Sequence, residues 1–110
     1  MRVKEPPDDA RILFSHKRFI IATVLYLAGP MTMARLREAT GLSWGDLDSN
    51  IRYLERHGLV EVRRILTLRG PRVMVDLTGE GRRAYRLLAR YLREVVGSLD
   101  AEPGEGDAGS

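Results

Sequence analysis

Gly45, Ser49, Arg52 and Arg56 follow one another at intervals of four, three and four residues. At 100° per residue, such positions share one side of a helix. Their chemistry suits the edges and backbone of a nucleic acid. A guanidinium at Arg52 matches guanine in bidentate fashion, Ser49 matches a base or a phosphate, and Asp48 on the flank can accept from a cytosine amino group. Gly45 lets the backbone come close to DNA. Trp44, near the helix start, suits the phosphate backbone or a thymine methyl, and Ser43 completes this end of the candidate DNA-binding set. Two acids are awkward beside phosphates. Asp46 also reads as part of a helix cap, whereas Asp48 must either read a base or cost affinity.

A second group of donors lies downstream. Arg63, Arg64, Arg69 and Arg72 surround a Gly70-Pro71 turn signal. Arginines on a hairpin can reach phosphates or a minor groove beside a docked helix. From Arg52 to Arg93 there are eleven arginines against only Glu55, Glu61, Asp76 and Glu80. This stretch is a candidate nucleic-acid footprint. Arg64, Arg69 and Arg72 join Ser43, Trp44, Gly45, Asp48, Ser49, Arg52 and Arg56 in the DNA-binding set.

The elements that must position these residues follow from periodicity. Leu47, Ile51 and Leu54 form an inward stripe at i, i+4 and i+7, so the helix runs from about Trp44 to His57. Ser43 is its N-cap and Gly58 closes it. Before it, a short helix from Thr32 or Met33 to about Thr40 turns Met33, Leu36 and Ala39 to one face, and Gly41 ends it. Upstream, SHKRFIIATVLYLA from about Ser15 to Ala28 puts Phe19, Ile20, Val24 and Leu27 on one face. Its β-branched residues also allow a buried strand, but about 14 residues favour a helix. Gly29-Pro30 stops it.

Val60-Glu61-Val62 and Val73, Val75, Leu77 alternate as strands do, giving a two-stranded hairpin. Ile65, Leu66 and Leu68, apolar residues within it, are expected to pack on the core or a partner, since exposure would invite aggregation. Thr78 caps a last helix from about Gly79 to Leu99. There Tyr85, Leu88, Leu92, Val95 and Leu99 recur at three- and four-residue spacing, an a/d seam over about two heptads. These five are the candidate dimer interface; closing the protomer's own core is the alternative use of the same stripe.

Bulk composition sets the limits. The chain has 110 residues, 44% of them apolar and none cysteine. One small domain with a thin core is expected, with no disulfide and no thiolate metal site. No apolar run is long enough to span a membrane, and MRVKEPPDD lacks a signal-peptide core, so a cytoplasmic location is the default. His16 and His57 have no ligand pattern around them, and phosphate-loop, GxSxG and HExxH motifs are missing. No catalytic residue, metal or cofactor is therefore expected.

The stretch from about Ile12 to Leu88 resembles the MarR/ArsR-like winged-helix transcriptional regulators. The resemblance rests on LREATGLSWGDLDSNIRYLERHGLVEV and on RGPRVMVDLTGEGRRAY after the hairpin. Leu47 falls on the family's leucine-striped helix, Leu54, Glu55 and Gly58 on its "LExxGLV" ending, and Leu77, Thr78 and Gly81 on its "LTxxG" pattern. It implies that residues aligned with Trp44 to Arg52 enter the major groove, that wing arginines touch the backbone or minor groove, and that the terminal helices form a homodimer. This chain departs from the family in its apolar wing stem and in Asp48, where a neutral polar residue is common. No residues matching a small-molecule effector site are identified.

The expected fold is mainly α with a small β-hairpin: a winged helix-turn-helix with a three-helix core, a wing and an extra C-terminal dimerisation helix. Residues 1–10 are read as a flexible arm, 11–78 as the winged-helix DNA-binding domain, 79–100 as the dimerisation helix and 101–110 as a disordered acidic tail. The partners expected are double-stranded DNA and a second copy of the chain, with no membrane. The alternative is a winged-helix protein-interaction module without specific DNA binding.

Overall fold

The computed structural model describes residues 3–100. The acidic tail expected at 101–110 lies outside the described residues. In chain order the elements are α1 (Asp8–Arg11), α2 (His16–Ala28), β1 (Met31–Thr32), α3 (Met33–Thr40), α4 (Trp44–Arg56), β2 (Val60–Thr67), β3 (Gly70–Leu77) and α5 (Gly79–Asp100). The three strands form an antiparallel sheet in the order β1-β3-β2. This is the winged helix expected, with two small additions, α1 and β1. Two residues are too few to show a strand's alternation, so β1 carries no sequence signal of its own. It exists because Met31 and Thr32 lie opposite Val75 and Met74 of β3.

The helix-turn-helix follows its local signals closely. Thr32 caps α3 by accepting from the Arg35 N–H, and Ser43 caps α4 by accepting from the Asp46 N–H. Each oxygen satisfies one donor that a helix start otherwise leaves open. Gly41 ends α3 at φ 72°, in the left-handed region where a side chain is costly. Leu47, Ile51 and Leu54 are all buried, as the stripe requires. They meet Leu36 of α3, Ile21, Ala22 and Leu25 of α2, Val75 and Leu77 of β3, and Ala84 and Leu88 of α5 in one core.

Three helix faces differ from expectation. On α2 the fully buried residues are Ile21, Ala22 and Leu25, while Leu27 is exposed. IIATVLYLA is apolar all round, so periodicity gave no contrast from which to choose the inward face. On α3, Leu36 is buried but Ala39 is exposed, because only one turn of this short helix touches the core.

On α5 the buried line runs through Gly81, Ala84, Leu88 and Tyr91, rotated from the seam read in the sequence. Leu88, expected at a dimer interface, is sealed inside the protomer. Tyr85 is stacked by Phe19 and Tyr26, and its hydroxyl is 2.9 Å from Thr23 Oγ1. The first half of the helix is thus used by the protomer's own core. Beyond it the apolar residues emerge: Leu92 and Val95 are half-buried, and Val96 and Leu99 are exposed.

The N-terminal segment is also more ordered than a loose arm. Ala10 and Leu13 are completely buried, and the Tyr91 hydroxyl donates to the Lys4 carbonyl at 2.7 Å. The α1 turn lies against α5. Its two apolar anchors, Ala10 and Leu13, are too few to make a periodic pattern.

One junction joins the two halves of the fold. Thr78 Oγ1 donates to the Gly58 carbonyl at 2.6 Å and accepts from the Gly81 N–H at 3.0 Å. The Thr78 N–H donates to the Leu59 carbonyl at 3.0 Å. The start of α5 is therefore clamped to the end of α4, which aligns the wing stem with the helix beside it.

Candidate nucleic-acid interface

The α4 helix is held from behind at both ends. Lys17 of α2 donates to the Asp46 carboxylate at 2.7 Å. This hydrogen bond, reinforced by the charge of Lys17 and by the Ser43 contact, holds the Asp46 carboxyl below its usual pKa despite some desolvation. Asp46 thus does more than cap α4; its negative charge is spent on a tie to α2. At the other end the Arg18 guanidinium lies 4.4 Å from the centre of the Tyr53 ring. Arg18 Nε also donates to the Ile12 carbonyl at 2.7 Å. Between these ties the buried leucine stripe fixes the rotation of the helix.

That rotation leaves Trp44, Gly45, Asp48, Ser49, Arg52 and Arg56 exposed. Arg52 Nε is 2.9 Å from Asp48 Oδ2, an i, i+4 pair on the open face. The pairing accounts for the acid that the sequence left unexplained. The closest approach of the carboxylate is to the inner nitrogen of the guanidinium, and its two terminal amino groups make no hydrogen bond among the described residues. Those are the groups that a bidentate contact to guanine uses. An exposed pair of this kind adds little stability, so its value lies in orientation.

A groove of about 590 Å³ runs between α4 and the sheet. Trp44, Asp48, Arg52 and Glu55 line one side, and Val62, Arg64 and Val73 line the other. Strand parity explains this selection. Val60, Val62, Arg64 and Leu66 share one face of β2, with Leu77, Val75, Val73 and Pro71 opposite them on β3. Arg64 therefore joins Arg52 in the groove. Arg72, opposite Ile65, belongs to the other face, and Arg69 stands at the hairpin turn.

The other predicted DNA-binding residues do not all stand together. Trp44, Asp48, Arg52 and Arg64 surround one groove. Gly45 and Ser49 occupy the exposed turn beside it. Arg56 leans over the Tyr53 ring at the far end of α4, 5.7 Å from its centre. The Ser43 hydroxyl is engaged by the cap.

One contributor escaped the sequence reading. Arg37 of α3 lies over the Trp44 ring, 5.1 Å from its centre, and adds a cation at the mouth of the helix-turn-helix. Its outward position was legible from the α3 wheel; its neighbour was not, because the contact crosses the turn.

Of the two uses expected for the apolar wing stem, packing on the core does not hold. Leu66 and Leu68 do not pack on the core: they are 84% and 107% exposed, and Ile65 is 40% exposed. Among the described residues, no helix covers Leu66 or Leu68 at the outer end of the hairpin.

Among the described residues no group of three His, Asp or Glu side chains stands together to hold a metal, and no helix is long and apolar enough to cross a membrane.

Residues 18–96 match the family model described as a winged helix DNA-binding domain. No curated protein matches the chain. Among solved structures, the chain is similar to a transcriptional regulator homologue from Pyrococcus horikoshii OT3. The two are 31% identical with a TM-score of 0.77, covering 83% of this chain and 90% of that one. A M. tuberculosis transcriptional regulator solved with DNA is 27% identical with a TM-score of 0.62, covering 87% of this chain and 71% of that one. A putative MarR-family regulator from Enterococcus faecalis V583 shares the fold at 24% identity and a TM-score of 0.70, covering 84% and 86% of the two chains. On the extent of the family match and the likeness to the Pyrococcus homologue, the chain belongs to the winged helix DNA-binding domain family and has the fold of MarR-type transcriptional regulators.

Proposed function

We propose that this chain is a sequence-specific transcriptional regulator that binds double-stranded DNA as a homodimer, and that it is not an enzyme. In this reading α4 enters the major groove with Gly45, Ser49 and Arg52 towards the base edges. The β2–β3 wing lies along the backbone or minor groove. The observation that carries the reading is the Asp48–Arg52 pair on the free face of a rigidly held helix, with Arg64 across the groove. A guanidinium steadied on one side and open at its terminal nitrogens is suited to reading a base as well as neutralising a phosphate.

The homodimer is supported by the emerging apolar end of α5. Leu92, Val95, Val96 and Leu99 stand at helical spacing, and exposed Phe14 lies beside Leu92. Of the five seam residues, Leu88 has no surface to offer and Tyr85 little, so we place the contact at Leu92, Val95 and Leu99. Sedimentation of Leu99→Asp should show a shift towards monomer; an unchanged mass would remove this surface from the proposal.

The decisive experiment is a mobility shift with DNA from upstream of the chain's own gene, at two salt concentrations. Binding should weaken steeply with salt as phosphate counterions are released. Arg52→Ala should cost about 1–3 kcal/mol and relax one base position, whereas Arg64→Ala should weaken all sequences more evenly. If both variants bound as tightly as the parent, the docking arrangement would be wrong. A protein-interaction module is the second reading, favoured by the exposed Leu66 and Leu68. It predicts no salt-dependent shift on any duplex.

A further inference from the structure

The outer end of the wing is apolar where the rest of the candidate interface is charged. Leu68 is as exposed as a side chain can be, and Leu66 nearly so. Neither supports the protomer's core. The tip is nevertheless stiff: the Thr67 hydroxyl accepts from the Arg69 N–H at 3.2 Å and donates to the Gly70 carbonyl at 2.7 Å. These bonds close a two-residue turn, Leu68-Arg69, between paired Thr67 and Gly70. A rigid hairpin therefore presents two leucines at its end.

Their surroundings indicate an occupant. Between Val60 and Val75 there are four arginines and one acid, Glu61, which lies 3.8 Å from Arg63. An apolar tip on a hairpin with four arginines, one of them (Arg69) beside Leu68 in the turn, and one acid is complementary to a polyanion with an apolar interior, which is the stacked duplex. The spacing agrees. Val62 lines the groove beside α4, and Leu68 is six residues further along an extended strand, about 20 Å away. From a major groove to the adjacent minor groove is half a helical turn, about 17 Å.

We propose that the wing tip is an apolar wedge: Leu68, supported by Leu66, enters the minor groove next to the α4 site and bends the duplex by partly unstacking a base step. The inference rests on the DNA-binding reading above and adds an activity to it, DNA deformation. Apolar side chains inserted in this way kink DNA by about 20–90° towards the major groove. Pyrimidine–purine steps yield most readily, so the wedge also selects sequence at a position no hydrogen bond reads.

The test uses the full chain and a short duplex that it enriches from a randomised pool, labelled at both ends for energy transfer. The parent should shorten the end-to-end distance. The double variant Leu66→Ser, Leu68→Ser should lose at least half of the bend and roughly tenfold in affinity, with unchanged thermal stability since both residues are solvent-exposed. Leu66→Met, Leu68→Met should restore both, because apolarity is what the step senses. A parent complex with straight DNA, or a serine variant that bends DNA like the parent, overturns the wedge while leaving DNA binding intact. A wing that serves a protein partner gives that second result. If the parent enriches no duplex at all, the DNA-binding reading itself falls, and the wedge with it.

Discussion

Gly81→Ala offers the sharpest check on how the fold holds its interface. A Cβ at Gly81 would stand 2.0 Å from the Leu59 carbonyl oxygen, and 3.0 Å from both the Leu59 carbonyl carbon and Leu77 Cδ2. Ordinary carbon–oxygen contact needs about 3.3–3.6 Å, so backbone must move by more than an ångström. The Leu59 carbonyl cannot yield freely, since it accepts from the Thr78 N–H at 3.0 Å. Moving it that far breaks the bond. Overpacking costs about 1–3 kcal/mol, and the stranded polar groups add about 1–3 kcal/mol. Alanine's better helix propensity offsets at most about 1 kcal/mol. The net loss should be about 2–4 kcal/mol, or roughly 10–25 °C in Tm for a domain of this size. Gly97→Ala is the matched control in the same helix, with nothing within 4 Å of the added methyl. It should be neutral or stabilising by up to about 1 kcal/mol. Urea denaturation of all three proteins at equal concentration measures both effects. The packing argument fails if Gly81→Ala melts with or above the parent, or if the two alanine variants shift together.

Three further outcomes follow from the site. Gly45→Ala meets nothing within 4 Å in the protein, so it should stabilise α4 by up to about 1 kcal/mol while weakening DNA binding, if the backbone there approaches the duplex; a variant both more stable and equally tight would remove Gly45 from the interface. Asp48→Ala frees Arg52 and deletes a negative charge, so binding to non-cognate DNA should tighten while discrimination at one base pair falls by about 1–3 kcal/mol; competition binding against single-base variants of the enriched duplex would show it, and full retention of discrimination would end the positioning argument. The Asp46 carboxyl is held low in the folded state, so its contribution is present above the ordinary carboxylate pKa of about 4 and is lost as pH falls through its lowered folded value. Lys17→Met should flatten the acid limb of the stability curve below pH ~4, measured as urea midpoints; an unchanged limb would show that the Lys17 tie does not set it.

Legibility varied with how local the deciding physics is. The caps at Thr32 and Ser43, the left-handed Gly41 and the stripe Leu47, Ile51, Leu54 all depend on neighbours within one or two helical turns. The sequence therefore displayed them directly, and the exposed face of α4 followed by subtraction. On α5 the seam read in the sequence differs from the buried line, with Leu88 inside the protomer, because Tyr85, Leu92 and Val95 flank that line closely enough to make a second stripe. Only the position of α1, α2 and β3 decides which stripe is inside. Likewise Leu66 and Leu68 read by type as residues of the core or of a partner contact, and they miss the core because the hairpin extends past the helices that would have covered them.

By itself the sequence determined the order of elements, the rotation of α4 and the arginine-rich character of the face it leaves free. Each is a matter of periodicity, capping or composition along one chain. Tertiary structure alone decided which residues become neighbours across elements. It set Arg64 opposite Arg52 and turned Arg72 away, stacked Arg37 over Trp44, and tied Asp46 to Lys17. It also buried Leu88 in the protomer while leaving Leu99 and Leu68 outside. Such pairings depend on how sheet parity and helix packing combine over distances that no repeat in the sequence records, and the candidate DNA-reading site is built mostly from them.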